Sequence, residues 1–182
     1  MIKKNKRKKM FLLFHVAIPL IIFELPYIKK NFRVNRFFLI FGSLFPDLVD
    51  KPLSILGLFS GRGIAHTLVF VLLSFLVVFI LSKGNKAISF PFLIGIAFHL
   101  ILDAPYVPLF YPFVSYDFSM LEDPIGYWWM VLLTDPLVIT TELIGFFIIL
   151  FVIFRNKLYT FRKIINYLST NQLNSFKKTN KS

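Results

Sequence analysis

The chain has no cysteine, which excludes disulfide staples and thiolate metal ligands and leaves the redox compartment open. Acidic residues are scarce, nine against 21 Lys and Arg, and none precedes Glu24 or follows Glu142. There are three histidines. Any bound metal must therefore be held by imidazole and carboxylate from a small set of residues. Nucleophilic-serine and phosphate-loop chemistries have no support, because neither a Ser-His-Asp pattern nor a phosphate-binding glycine loop is present. No internal repeat divides the chain.

What the chain has in excess is apolar residues. Of its 182 residues 57% are hydrophobic, 24 are Phe, and the mean hydropathy is +0.71, whereas a soluble domain is roughly 45–50% apolar. The formal net charge of +12 raises the possibility of nucleic acid, but the placement of the cations argues for a bilayer instead. Six of the 21 lie between Lys3 and Lys9 and seven more from Arg155 to Lys181, flanking apolar stretches in the positive-inside pattern. Each such cation near anionic head groups contributes about 1 kcal/mol. The basic start followed by an apolar run is like a signal peptide, but no small-residue cleavage site follows, so it reads as a retained anchor.

The expected fold is all-α, a polytopic membrane bundle of about four spanning helices with re-entrant or interfacial pieces. Residues 11–28, 65–82, 88–102 and 136–154 are long enough or nearly so to span, with a polar turn at Lys83–Lys86 making the second and third a hairpin. Residues 37–48 are too short to cross and read as re-entrant or interfacial, with Pro46 starting a new turn. Tyr111, Tyr116, Tyr127, Trp128 and Trp129 suit an interfacial belt. The expected organisation is a basic tail (1–9), one membrane-embedded unit (10–166) and a polar tail (167–182), in a multi-pass cell-membrane protein with both termini cytoplasmic. That topology is strained at Lys29, Lys30, Arg33 and Arg36, which it puts outside.

Ionisable groups inside spans cost at least ~2.5 kcal/mol each, so their number here needs a reason. His99 and Asp103, at i and i+4, share a helix face. They could be two ligands of one ion, or Asp103 could orient a ligating His99; a plain helix-end pair is the alternative. Asp47 and Asp50, three apart, could share a divalent ion, or one could be protonated. Arg62, flanked by Gly61 and Gly63 and followed by His66, suits a phosphate or carboxylate because its guanidinium is a planar fork. Asp135 and Glu142 lie on nearly one face of the last span, and Glu142 is deep enough to need protonation or a partner. His15 is a candidate ligand on the first span. Glu24, nine residues on, sits near a helix end and reads as a weaker one. In the four-span topology Glu24, residues 47–66, Asp103 and Asp135 fall on the outer side, with His99 a turn deeper and His15 deeper still.

Read in order, His15, GSLFPDLVD (42–50), RGIAHTL (62–68) and HLILDAPYVPLFYPF (99–113) resemble the YdjM-like family of LexA-regulated inner-membrane metal-dependent hydrolases. The resemblance implies metal or catalytic roles for His15, Asp47, His66, His99 and Asp103, with Arg62 beside the site. Departures are Phe14 and Ala65 where the family usually has Thr, and Val49-Asp50 where Asp-His is common, so Asp50 is offset from the family's pattern.

The resulting expectation is a metal-dependent hydrolase in which Zn²⁺, or Mn²⁺, is held by His15, Asp47, Asp50, His66, His99 and Asp103 and activates water. Asp47, Arg62 and Asp103 would act in catalysis, with Glu24, Asp135 and Glu142 as weaker candidates. A lipid or lipid-linked phosphoester is the expected substrate, the bilayer the expected partner, and nucleic acid none. The rival expectations are an ion or proton carrier and a non-catalytic scaffold that keeps the metal for stability.

Overall fold

The computed structural model describes residues 12–32, 34–58, 62–116, 118 and 121–169. The basic stretch 1–9, Arg33, Gly61 and residues 170–182 of the polar tail lie outside them. Every regular element among the described residues is helical. In chain order these are α1 (Leu12–Glu24), α2 (Pro26–Asn31), α3 (Arg36–Ile55), a 3₁₀ turn (Ile64–His66), α4 (Leu68–Leu81), α5 (Lys86–Asp103), α6 (Pro124–Thr134), α7 (Pro136–Arg155) and α8 (Phe161–Ser169). Residues 167–169, expected in the tail, instead end α8.

The helix starts follow from short polar side chains that satisfy the orphan N–H groups of a first turn. Asn35 accepts from Phe37 and Phe38 at the head of α3, Thr67 from Phe70 at α4, and Asn85 from Ala87 at α5. Between α4 and α5 the chain reverses through Lys83 and Gly84, both at positive φ, with the Gly84 N–H returned to Phe79 C=O.

Of the expected spans, α5 and α7 are long and apolar enough to cross a bilayer, while α1 and α4, at 13 and 14 residues, are apolar but shorter. The larger correction concerns residues 37–48. They are not a short piece ending at Pro46, because α3 continues for 20 residues through Pro46 and Pro52. Its buried positions Leu39, Gly42, Ser43, Pro46, Asp47, Asp50 and Ser54 fall at the three- and four-residue spacing of one helix face. Packing of that face outweighs the N–H groups that the two prolines lack.

Glycine sets how α3 meets α5. A Cβ on Gly42 would overlap Phe92 C=O, and one on Gly95 would overlap Leu39 C=O, so the two backbones touch at this crossing. Phe92, Ile96, Leu100 and Val71 form the buried apolar cluster beside it, with Phe38 and Phe45 packed against it. Gly145 of α7 makes the same kind of approach to the backbone of Leu13 and Phe14 on α1.

Helix directions overturn the expected topology. Glu142, near the start of α7, meets the start of α1, while Asn156, just past the end of α7, meets Glu24 at the end of α1. The two helices therefore run the same way. Helix α3 runs back between the two ends, since its first residue Arg36 contacts Glu24 and its far half lies against Leu12. With α3 as an additional traverse, Leu12 and Ser169 end up at opposite ends of the bundle rather than on one side. Likewise Glu24 lies at the end away from Asp47, and His15 lies near it, the reverse of the expected placement.

Gly95→Ala should destabilise the folded protein by about 1–3 kcal/mol, the usual range for overpacking, and lower its unfolding temperature in detergent. Gly57→Ala, where nothing lies within 4 Å, gives the comparison for a strained glycine without a steric neighbour. An unfolding temperature for Gly95→Ala equal to the parent's would remove the close crossing.

Candidate metal centre

Four elements bring ionisable side chains to one buried point: α1 supplies His15, α3 supplies Asp47 and Asp50, the 3₁₀ turn supplies His66, and α5 supplies His99 and Asp103. All six are buried. The HLILD spacing acts as expected, putting His99 and Asp103 on one face with His99 Nε2 3.8 Å from Asp103 Oδ2. His66 Nε2 lies 3.0 Å from His99 Nε2, 3.6 Å from Asp103 Oδ2 and 3.8 Å from Asp47 Oδ1, and His99 Nε2 lies 3.9 Å from Asp47 Oδ1.

The atoms facing away from this point are held as well. His99 Nδ1 is 2.7 Å from Ser43 C=O. A carbonyl only accepts, so the His99 proton sits on Nδ1 and the Nε2 lone pair is directed inward. His66 Nδ1 is 2.7 Å from Asp50 Oδ2, which sets the same tautomer when Asp50 is ionised. Asp103 Oδ1 accepts from Arg62 at 2.6 Å, and Asp47 Oδ2 pairs with Lys51 at 2.6 Å.

Asp50 is the clearest departure from the expected ligand set. Its carboxylate accepts from Gly63 N–H, Ala65 N–H and His66 Nδ1, so it stands behind His66 and fixes the 63–66 segment instead of facing the common point. Its offset in the sequence motif thus has a local reason. Arg62, expected at a substrate anion, is engaged with Asp103.

The donor set fits a cation. Two imidazole Nε2 atoms lie 3.0 Å apart, each with an Asp47 and an Asp103 oxygen at 3.6–3.9 Å, and none carries a hydrogen when both imidazoles are neutral in the tautomers just assigned. Ligand atoms 2.0–2.1 Å from a tetrahedral Zn²⁺ stand ~3.3 Å apart. Lone pairs this close repel unless a proton on one ring or a metal cation lies between them. Two triads can hold a metal ion, His15–His99–Asp103 and Asp47–His66–His99. They share His99, and one Nε2 donates to one ion, so they describe one centre. His15 lies at its edge, with Nε2 3.5 Å from Asp103 Oδ1 and its ring 4.2 Å from that of His99.

The three weaker candidates lie elsewhere. Asp135 caps α7, accepting from Leu137 and Val138 N–H. Glu142 accepts from the N–H groups of Leu13 and Phe14 at 3.1 Å each, a carboxylate on the positive end of α1, which is the partner its depth requires. Glu24, fully buried, accepts from Lys29, Arg36, Asn156 and Tyr167. Burial, reinforced by the Glu24 carboxylate, holds the Tyr167 phenol well above its ordinary value. Sequence reasoning missed Lys51, although its i, i+4 spacing from Asp47 was visible, and Ser43, whose contribution is a backbone carbonyl that no side-chain pattern reveals.

A family model described as YdjM inner membrane protein matches residues 10–165. No curated protein and no solved structure matches the chain. An inner-membrane location puts lipid against the bundle and accounts for the outward apolar side chains of α4 and α7, among them Leu72, Ile80, Leu81, Phe147 and Phe154.

Glu142→Gln should lower stability by about 1.5–3 kcal/mol, the worth of a hydrogen bond to a charged group, while leaving metal content unchanged. A Glu142→Gln protein that unfolds at the parent temperature but has lost metal would reverse the separation drawn between the helix cap and the centre.

Proposed function

The chain belongs to the YdjM inner membrane protein family, and from that premise we propose that it is a multi-pass, metal-dependent hydrolase. One divalent ion, Zn²⁺ by its mixed imidazole and carboxylate set, is held by His66, His99, Asp47 and Asp103. The observation that carries this reading is the inward convergence of four lone-pair atoms whose outward partners, Asp50, Ser43, Lys51 and Arg62, are all in place. Such outer partners fix the tautomer and orientation of metal ligands.

A bound divalent ion supplies Lewis acidity and lowers the pKa of a water toward ~7. The protein's own groups do the rest. Arg62 holds the Asp103 carboxylate so that Oδ2 faces inward, and Lys51 does the same for Asp47 Oδ1. His15, beside Asp103 and stacked on His99, is the group positioned to take or return a proton at Nε2 during hydrolysis of a phosphoester.

A proton relay is favoured less, because its groups must be distributed across the bilayer. Between His15 and Glu24 on α1 every residue from 16 to 23 is apolar, so α1 carries no titratable step from the centre to the Glu24 cluster.

By the positive-inside rule, the end of the bundle carrying Lys29, Lys30, Arg36, Arg155, Lys157, Arg162 and Lys163 is cytoplasmic and the metal centre opens toward the other face, an assignment that sets these cations against Lys3–Lys9, which adjoin the start of α1 in sequence. The natural absence of cysteine makes this directly testable. Ser169→Cys should react with a membrane-impermeant maleimide only in opened vesicles, and Ser115→Cys in intact cells. The opposite pattern inverts the orientation, and labelling of both from one side removes it.

The deciding experiment on the function is elemental analysis of the purified parent beside His99→Ala, Asp103→Ala and Asp50→Asn, with folding checked by circular dichroism and phosphodiester hydrolysis measured on each. The expected result is about one Zn per chain in the parent, loss of metal and activity in the two ligand variants, and metal affinity lowered by about 10–100-fold in Asp50→Asn. No metal in any protein after reconstitution with Zn²⁺ or Mn²⁺ would end this reading.

A further inference from the structure

Beside the centre lies a cavity of about 200 Å³ lined by Leu12, Asp47, Leu48, Lys51, Pro52 and Ile55. Its wall comes from the start of α1 and the far half of α3, and is almost wholly apolar. Leu12, Leu48 and Ile55 are about half exposed, so the cavity is open at the apolar surface of the bundle where α1 begins and α3 ends. Its polar boundary is the Asp47–Lys51 pair, with Lys51 Nζ 2.6 Å from Asp47 Oδ2 and its side chain 24% exposed. The other oxygen of the same carboxylate, Oδ1, faces His66 and His99. One side chain therefore joins the floor of the cavity to the centre.

We propose that this cavity seats the first part of an acyl chain of an anionic phospholipid, with the lipid phosphate at Lys51 beside the centre. This rests on the metal-dependent reading for the fate of the phosphate and for the net charge that selects an anion, but not for the seating of the acyl chain. Size and charge select the occupant. Pockets that enclose a whole small molecule run to ~300–1,000 Å³, so this smaller, open space takes only part of a chain, and the remainder stays in the bilayer. Charge favours an anion: Asp47, Asp50 and Asp103 stand against Arg62, Lys51 and a divalent ion, leaving one net positive charge when the imidazoles are neutral. A cationic centre behind an apolar entrance matches an anionic head on an apolar tail, and rejects a free, water-borne phosphate that has nothing to place against Leu12, Leu48 and Ile55.

The test is photocrosslinking of the full chain in nanodiscs that contain phosphatidylglycerol with a diazirine near the carbonyl end of one acyl chain. Unlabelled phosphatidylglycerol or phosphatidylcholine serves as competitor, and bound metal is measured in the same samples. The expected result is adducts on peptides containing Leu12 and residues 48–55, competed at least tenfold better by phosphatidylglycerol. Lys51→Gln should bring the two competitors within about twofold of each other, and Leu48→Trp, which fills the cavity from its exposed rim, should remove the adducts. Adducts spread evenly over the apolar surface, or adducts at 48–55 that both variants leave unchanged, would overturn the proposal. Crosslinking needs no turnover, so adducts at 48–55 in metal-free protein would uphold the cavity while the hydrolase reading fails, and bound metal without such adducts would do the reverse.

Discussion

The arrangement turns on mutual repulsion among lone pairs in a region with no room for bulk water. His66 Nε2 and His99 Nε2 are 3.0 Å apart, and carboxylate oxygens of Asp47 and Asp103 stand within 4 Å of both. In water such a set would turn outward and hydrate. Here each ring and each carboxylate is prevented from turning, because its far atom is already bonded to Asp50, Ser43, Lys51 or Arg62. Burial of unpaired charge is among the most unfavourable things a fold can do, and positive charge at the common point, a proton on an imidazole or a metal cation, would turn this arrangement from repulsive to attractive. An ion at that point would be held by side chains from three helices and the 3₁₀ turn at once.

That requirement reaches back into the packing. Ser43 C=O can accept from His99 only because α3 and α5 touch backbone to backbone, and they touch because Gly42 and Gly95 have no side chains at the crossing. Pro46 has no N–H to offer Gly42 C=O four residues back, next to the Ser43 C=O that accepts from His99. On the other side, Gly145 admits the start of α1 close to α7, where Glu142 holds the N–H groups of Leu13 and Phe14. That contact fixes the first turn of α1, and with it His15 in the next residue position. Glycines and an intramembrane carboxylate far from the ligand list thus act on the centre by setting where its helices begin and cross.

What could be read from the sequence divides by range of interaction. The i, i+4 pairing of His99 with Asp103 is a local consequence of helix geometry and was legible. So was the gathering of Asp47, Asp50 and His66, since two acids and a histidine near the ends of apolar segments need partners. The division of labour between Asp47 and Asp50 was not legible, because it depends on the 63–66 segment folding over α3 and presenting two N–H groups and an imidazole to Asp50. The course of α3 was misjudged by giving Pro46 the weight of a helix start, although the buried face from Leu39 to Ser54 keeps helical spacing across both prolines. With α3 shortened, α1 was pointed the wrong way, and Glu24 and His15 exchanged places. Asp135 and Glu142 looked like site residues by their spacing and proved to be helix caps, a use that depends on which N–H groups lie opposite and that no spacing on one helix discloses.

The two ends of the bundle solve the same problem with different means. At the Glu24 end, a buried carboxylate is compensated by cations and donors belonging to the chain itself, Lys29, Arg36, Asn156 and Tyr167, and the result is a closed set that ties α8 and α7 to α1. At the other end, among the described residues, three carboxylates face Lys51, Arg62 and three imidazoles, with the His99 Nε2 lone pair directed inward. Here the fixed cations among the described residues are fewer than the carboxylates, and the balance is left to imidazoles whose outward atoms are already bonded. That orientation is what suits the centre to a cation, whereas the Glu24 cluster is already closed by the chain's own donors.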